Sequence, residues 1–146
     1  MEIRRAHPCD ATAIAEMEKE IFNDPWGEKD IFSYICSEMG MCFTALDGGE
    51  PIGYIIGKKI PPEGEIYRIA VRPDKRQRGI GYRLLSYALK TEAGDGVETV
   101  FLEVREQNVA ARALYKAYGF NEIGIRKNYY QNPTDNAVIM TYGKIC

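Results

Sequence analysis

"VRPDKRQRGIGYRLL", Val71 to Leu85, holds a strand-like end, a proline, four cations within its first eight residues (Arg72, Lys75, Arg76 and Arg78), two glycines and then leucines at helical spacing. A strand that runs into a glycine-opened helix leaves the helix's first N–H groups and positive dipole end free, and such a turn binds phosphate or pyrophosphate through backbone donors. Gly79 and Gly81 let a ligand approach the backbone closely. Two familiar phosphate cradles do not fit. The chain has no G-x-x-x-x-G-K-[ST], and Gly79-Ile80-Gly81 lacks the third glycine of the dinucleotide fingerprint. The plainer alternative is a strand-to-helix turn with a solvated basic face, and the spacing Arg76-x-x-Gly79-x-Gly81 directly after a strand narrows it.

The basic run is local. Nineteen Lys and Arg against 21 Asp and Glu give a net charge of −2, which does not suit a surface built to neutralise a nucleic-acid backbone. With 146 residues, 45% of them hydrophobic, the chain is expected to form one domain, residues 1–146. No apolar stretch approaches the ~18 residues that span a bilayer, and "MEIRRAHPCD" lacks the apolar core of a signal peptide, so a cytoplasmic protein with no membrane segment is expected. Cys9, Cys36, Cys42 and Cys146 make no C-x-x-C pair and lie near no second histidine, so no metal site is expected and the cysteines read as plain thiols.

Outward from the turn, strands and helices alternate. "MEIRRA" reads as a first strand, Asp10 as the N-cap of a helix carrying Ile14, Met17 and Ile21, and "NDPW" as its end. A second helix holds Ile31, Phe32 and Ile35. "MCFTALDGGEPIGYIIGKKI" reads as two strands joined at Gly48-Gly49, followed by the strand "GEIYRIAV". After the helix of Leu84, Leu85, Ala88 and Leu89 come the strand "VETVFLEVR", the helix "NVAARALYKAYG", and strands around "NEIGIRKNYY" and "NAVIMTYGKI". The order βααβββαβαββ predicts an α/β (α+β) fold with one mixed sheet covered by helices on both faces.

A second constellation is "FLEVREQNVAARALYKAYGF". Val100, Leu102 and Val104 share one strand face, which puts Glu103 on the other with Phe101 and Arg105. Between covering helices a charge is costly unless a cleft or partner receives it, so Glu103 is either a salt-bridged or edge glutamate or a carboxylate held in a cleft as a proton acceptor. In the next helix Ala110, Ala113, Leu114, Ala117 and Tyr118 form the expected packing stripe, with Tyr115 outside it and within about 20° of Asn108. A core tyrosine remains the alternative for Tyr115.

Together, "RIAVRPDKRQRGIGYRLL" and "LEVREQNVAARALYKAYGF" resemble the GNAT superfamily of acetyl-CoA-dependent N-acetyltransferases, through the R-x-x-G-x-G turn and the N-x-x-A-x-x-L-Y-x-x-x-G-F helix. Along nearly the whole chain, "DPW", "LEVR-x-x-N" and "IRKNYYQNPTDNAVIM" are similar to the RimI-type alanine N-acetyltransferases of a small-subunit ribosomal protein. The resemblance implies a GNAT-like, mostly antiparallel sheet of about seven strands. It implies acetyl-CoA between the strand end Ile69, Ala70 and Val71 and the turn Gln77, Arg78, Gly79, Ile80, Gly81 and Tyr82, with Arg76 and Arg78 as electrostatic support and Asn108 as a further cofactor contact. A backbone N–H of the Ile69–Val71 segment would polarise the thioester carbonyl. Glu103 matches the family's proton acceptor and Tyr115 its proton donor to the thiolate. Pro25, Trp26, Tyr129 and Tyr130 match the acceptor site.

The acceptor implied is the N-terminal amine of a ribosomal protein, met by a monomer with no general nucleic-acid binding. A terminal amine of pKa about 7.7 to 8.0 is neutral in a useful fraction near neutral pH, whereas a lysine near ~10.4 is neutral in about one molecule per thousand. No cysteine belongs to either motif, so direct transfer is expected. Two alternatives stay open: a GNAT enzyme acting on a lysine or small-molecule amine, and a non-catalytic acyl-CoA or nucleic-acid module in which Glu103 and Tyr115 are idle.

Overall fold

A computed structural model describes residues 1–143; Cys146 lies outside the described residues. The elements are β1 (Glu2–Arg5), a 3-10 turn (Pro8–Asp10), α1 (Ala11–Ile21), α2 (Glu28–Cys36), β2 (Phe43–Asp47), β3 (Glu50–Ile60), β4 (Glu63–Val71), a 3-10 turn (Pro73–Lys75), α3 (Ile80–Gly94), β5 (Thr99–Arg105), α4 (Val109–Tyr118), β6 (Asn121–Tyr130) and β7 (Asp135–Gly143). This is the expected order. The strands make one seven-stranded sheet, β1-β2-β3-β4-β5-β7-β6. All pairs are antiparallel except β4 and β5, which α3 connects as a crossover. Among the described residues no helix is long and apolar enough to cross a membrane.

Two apolar layers fix the sheet between helices. On one face Leu84, Leu85, Ala88 and Leu89 of α3 bury against Val100, Leu102 and Val104 of β5 and Val138 and Met140 of β7. On the other, Ile14 and Met17 of α1 and Ile31 of α2 meet Tyr54 and Ile56 of β3. Each fully buried Leu or Ile contributes about 1.5–3 kcal/mol. Gly48 and Gly49, at φ +59° and +84°, give the left-handed pair that a two-residue hairpin between twisted strands requires.

α2 holds Ile31, Phe32 and Ile35 as expected, with Ile31 buried and Phe32 exposed. Two local expectations are corrected. Asp10 stands at the N-cap position of α1 but its side chain does not cap the helix: its carboxylate turns back to accept the His7 N–H at 2.7 Å and pairs with Arg4 at 2.7 Å. In α4 the inward face is Ala111, Leu114, Tyr115 and Tyr118, whereas Ala110, Ala113 and Ala117 face solvent. Small residues gave no sign of which side was inward, and the one large ring that fits the core, Tyr115, decided it.

The feature that builds the site is a parting of strands. β4 and β5 pair only over Glu63–Ile66 against Thr99–Leu102. Beyond that β4 stays with β3 up to Val71↔Gly53, while β5 stays with β7 up to Arg105↔Ala137. At the point of divergence the β3–β4 register shifts, from Gly57↔Ile66 to Ile56↔Arg68, leaving Tyr67 as an extra residue. Such a bulge bends its strand and inverts the alternation beyond it. Glu65 and Tyr67 therefore look to the α1–α2 side, and Ile69 and Val71 to the α3–α4 side.

A buried polar knot holds α1 to this region. Glu18, fully buried, accepts hydrogen bonds from the Tyr54 hydroxyl and the Trp26 N–H (2.9 Å), with Arg68 Nε 3.4 Å away. Glu18→Ala leaves the Tyr54 hydroxyl and Arg68 Nε without a partner in the interior, while Arg68 Nη2 keeps Asp24, and should cost about 1–3 kcal/mol in chemical denaturation. A loss below about 1 kcal/mol would mean that the knot carries little of the fold.

Candidate active site

Arg72 N–H donates to Ile52 C=O at 2.8 Å, so strand alternation turns the N–H groups of Ala70 and Arg68 toward β3 as well. The N–H groups of Ile69 and Val71 face the gap between β4 and β5. The Val71 carbonyl accepts a hydrogen bond from Arg76 Nε at 3.0 Å, which braces the strand end. Gln77 (φ +63°) and Gly79 (φ +75°) then turn the chain into α3 through two left-handed residues. No side chain caps this helix, so the amides of Ile80, Gly81 and Tyr82 open it toward solvent. The two glycines differ in role. Gly79 is needed for its φ, since a Cβ there would meet nothing within 4 Å, whereas a Cβ on Gly81 would lie 3.3 Å from Leu114 Cδ2. Gly81 thus lets α3 lie close to α4. Arg78 is exposed beside the turn, the Ile80 side chain is buried, and Tyr82 packs on Tyr118 at 5.4 Å.

Tyr115 stands on the α4 side of the gap. The end of α4 is a left-handed cap: Phe120 N–H bonds the Tyr115 carbonyl at 2.9 Å and Gly119 N–H the Lys116 carbonyl at 3.1 Å, with Gly119 at φ +123°. The Phe120 ring closes on the Tyr115 ring at 5.6 Å, so the cap fixes both its backbone and its side chain. Burial, with the nearby Tyr130 hydroxyl, pushes the Tyr115 phenol well above its ordinary range. Tyr115 therefore stays protonated across physiological pH, further above a thiol's ordinary ~8.5 than a free phenol near ~10 would be. Asn108 does not point with it. It is the exposed N-cap of α4, with Oδ1 accepting the Ala111 N–H at 3.2 Å.

Glu103 lies on the opposite face, lining a cavity of about 400 Å³ with Glu65, Tyr67, Phe101, Arg126 and Ile139. Its Oε2 is buried without a hydrogen-bond partner, 3.6 Å from Arg126 Nε. Trp26 does not line this cavity but packs behind it, its ring 5.8 Å from the lining Tyr67 and 5.2 Å from Tyr34. Pro25 is exposed beside it. From β6, Tyr130 packs against Tyr129 at 5.1 Å and under the Arg105 guanidinium at 4.6 Å, while Arg105 donates to the Gln131 and Pro133 carbonyls. Burial, then the charge of Glu103, pushes the Tyr130 phenol up to about 12. Tyr130 is thus the group that feels both Glu103 and Tyr115.

The gap is a window through the sheet, with a helix N-terminus and a buried phenol on one side and a carboxylate cavity on the other. The family profile described as Acetyltransferase (GNAT) family matches residues 11–120. The chain belongs to the GNAT family of acetyltransferases. It is 35% identical over 133 residues to the ribosomal protein bS18-alanine N-acetyltransferase of Escherichia coli K12, covering 90% of this chain and 89% of that one. It is 39% identical over 129 residues to N-alpha-acetyltransferase RimI of Mycobacterium tuberculosis, covering 84% and 80%. The crystal structure of the ribosomal-protein-S18-alanine N-acetyltransferase from Escherichia coli superposes with a TM-score of 0.90 at 33% identity, covering 97% of this chain and 92% of that one. This GNAT chain is accordingly an N-acetyltransferase.

Sequence reasoning passed over several residues that shape the GNAT site. Glu65 and Tyr67 alternate in "GEIYRIAV", and a charge on the sheet face was as legible there as at Glu103. The bulge, the Glu18 knot and the Arg105 clamp left no signal in spacing. In a tyrosine-labelled sample the Tyr130 ring carbon bearing oxygen should titrate with a midpoint of about 12 by NMR. A midpoint near ~10 would place Tyr130 in solvent, away from Glu103.

Proposed function

We propose that this enzyme transfers the acetyl group of acetyl-CoA directly to the N-terminal α-amine of a protein, the N-terminal alanine of a small-subunit ribosomal protein. The observation that carries the reading is the window between β4 and β5, with backbone donors on the β4 edge, the Tyr115 phenol on the α3–α4 face and the Glu103 carboxylate on the opposite face. Acetyl-CoA fits it on three counts: the uncapped amides of Ile80 to Tyr82, the open space beside Gly79, and the Ile69 and Val71 N–H groups turned into the gap. Bound there, it supplies an acetyl thioester.

The residues then divide the work. Amides from Gln77 to Tyr82 hold the pyrophosphate, with Arg78 adding charge and Asn108 Nδ2 a polar contact. The Ile69 or Val71 N–H donates to the carbonyl oxygen as negative charge develops on it. Glu103 accepts a proton from the amine on its carboxylate, whose buried Oε2 accepts no hydrogen bond and has Arg126 Nε 3.6 Å away. Tyr115, protonated at working pH, gives its proton to the departing sulfur. Pro25, Trp26, Tyr129 and Tyr130 flank the acceptor chain. A terminal amine needs less help to lose its proton than a lysine does, which favours an α-amine over a lysine side chain. The acidic net charge argues against a general nucleic-acid partner, and the reading places a monomeric enzyme in the cytoplasm.

Intact-mass analysis of ribosomal proteins from a strain lacking the gene should show one small-subunit protein lighter by a single acetyl group. The wild-type gene should restore it. A Tyr115→Phe gene should not, and the purified variant should lose about 10²-fold in kcat with acetyl-CoA affinity kept. Unchanged ribosomal masses would overturn the substrate assignment.

A further inference from the structure

The Glu103 cavity contains a second carboxylate. Glu65 projects from β4 into the same cavity, on the same sheet face, one strand over and two residues short of the register position opposite Glu103. Strand spacing puts the two Cα atoms about 8 Å apart, within side-chain reach of a small group held between them. Glu65 is half-buried and its carboxylate makes no hydrogen bond or ion pair among the described residues, whereas the buried Glu103 Oε2 accepts no hydrogen bond and has only Arg126 Nε, 3.6 Å away, as an ionic neighbour. The groups facing Glu65 are Lys58 of β3, Glu63 and Tyr67 of β4, Glu103 of β5 and Arg126 of β6; Lys59 is committed to Glu92 at 3.0 Å. Burial and then the Glu103 charge raise the Glu65 carboxyl above its usual range, against the weaker opposing pull of Arg126 and Lys58.

Proton counting gives this carboxylate a task. Making an N-acetyl amide and a free thiol from an ammonium ion and a thioester removes two protons from nitrogen and returns one to sulfur. One N–H proton must leave before the lone pair can attack, and another as the C–N bond forms and the C–S bond breaks. Tyr115 serves the sulfur, and one carboxylate serves only one of the two nitrogen protons. We propose that Glu65 is a second proton-accepting carboxylate, and that the acceptor amine enters the Glu65–Glu103 cavity as its ammonium ion. Glu65 takes the first proton, Glu103 the second, and after products leave one proton passes to solvent and one restores Tyr115. The inference rests on the N-terminal acetyltransferase reading above.

Glu65→Gln should fold. Ionised Glu65 is disfavoured in the folded protein above the ordinary carboxyl range, so the neutral amide should keep or raise Tm at pH 7. With an Ala-initiated acceptor peptide, the variant's kcat/KM should fall about tenfold at pH 6 and approach wild type near pH 9 (above an amine pKa of about 8), where the amine deprotonates itself. Glu65→Asp should recover part of the loss. Calorimetry without acetyl-CoA should show the variant binding the free-amine peptide more weakly at pH 6 but the N-acetylated peptide as wild type does. An unchanged profile, or the same fractional loss at every pH and for both peptides, would overturn the role of Glu65. A wild-type enzyme that acetylates no N-terminal amine sinks the proposed function instead, and the binding comparison still decides Glu65.

Discussion

The proposed active site depends on two parallel strands ceasing to pair after four residues. Parallel neighbours in the middle of a sheet normally share hydrogen bonds along their length, and breaking them leaves backbone groups that must find other partners. Here β3 and β7 hold the outer edges of β4 and β5 past the point of separation, and the bulge at Tyr67 bends β4 away. The unpaired N–H groups of Ile69 and Val71 are the residue of that arrangement. They sit where a carbonyl or an extended acyl chain can take the place of the missing strand.

The two faces of the window are built by different means. On the α3–α4 side, position comes from the backbone: left-handed residues at Gln77 and Gly79 aim the start of α3, Gly81 admits Leu114, and the cap at Gly119 fixes Tyr115 beside Phe120. On the α1–α2 side, position comes from charge and aromatic packing. Glu18 fastens the Trp26 loop to β3, Arg68 lies over Phe22 at 4.0 Å, and Trp26 and Tyr34 pack behind Tyr67, which lines the Glu103 cavity. The Glu103 carboxylate thus stands among apolar and aromatic neighbours while still lining a cavity.

Much of this was legible in the sequence where a single element carried the signal. The alternation in "VFLEVR" put Glu103 opposite the core face, and the proline, cations and glycines after Val71 gave a strand-to-helix turn with free amides. The Gly48-Gly49 hairpin and the element order followed from the same local rules. What failed needed tertiary context. The alanines of α4 look like a packing stripe by spacing, yet the helix rotates to bury Tyr115. Asn108 seemed to share its direction only because the helix was extended one residue too far, through its own cap. The proton affinity of Tyr115 depends on burial that no spacing reports, and Glu65 becomes a neighbour of Glu103 only through the short β4–β5 pairing.

The central claim is that the parted edge of β4 receives the thioester. Hydrogen–deuterium exchange on the enzyme alone and with acetyl-CoA tests it most directly. The Ile69 and Val71 amides should exchange fast in the free enzyme and slow markedly on binding, together with the amides of Ile80 to Tyr82, while the Arg68 and Ala70 amides, already bonded to β3, change little. Protection confined to the α3 turn, with Ile69 and Val71 exchanging as before, would contradict the account.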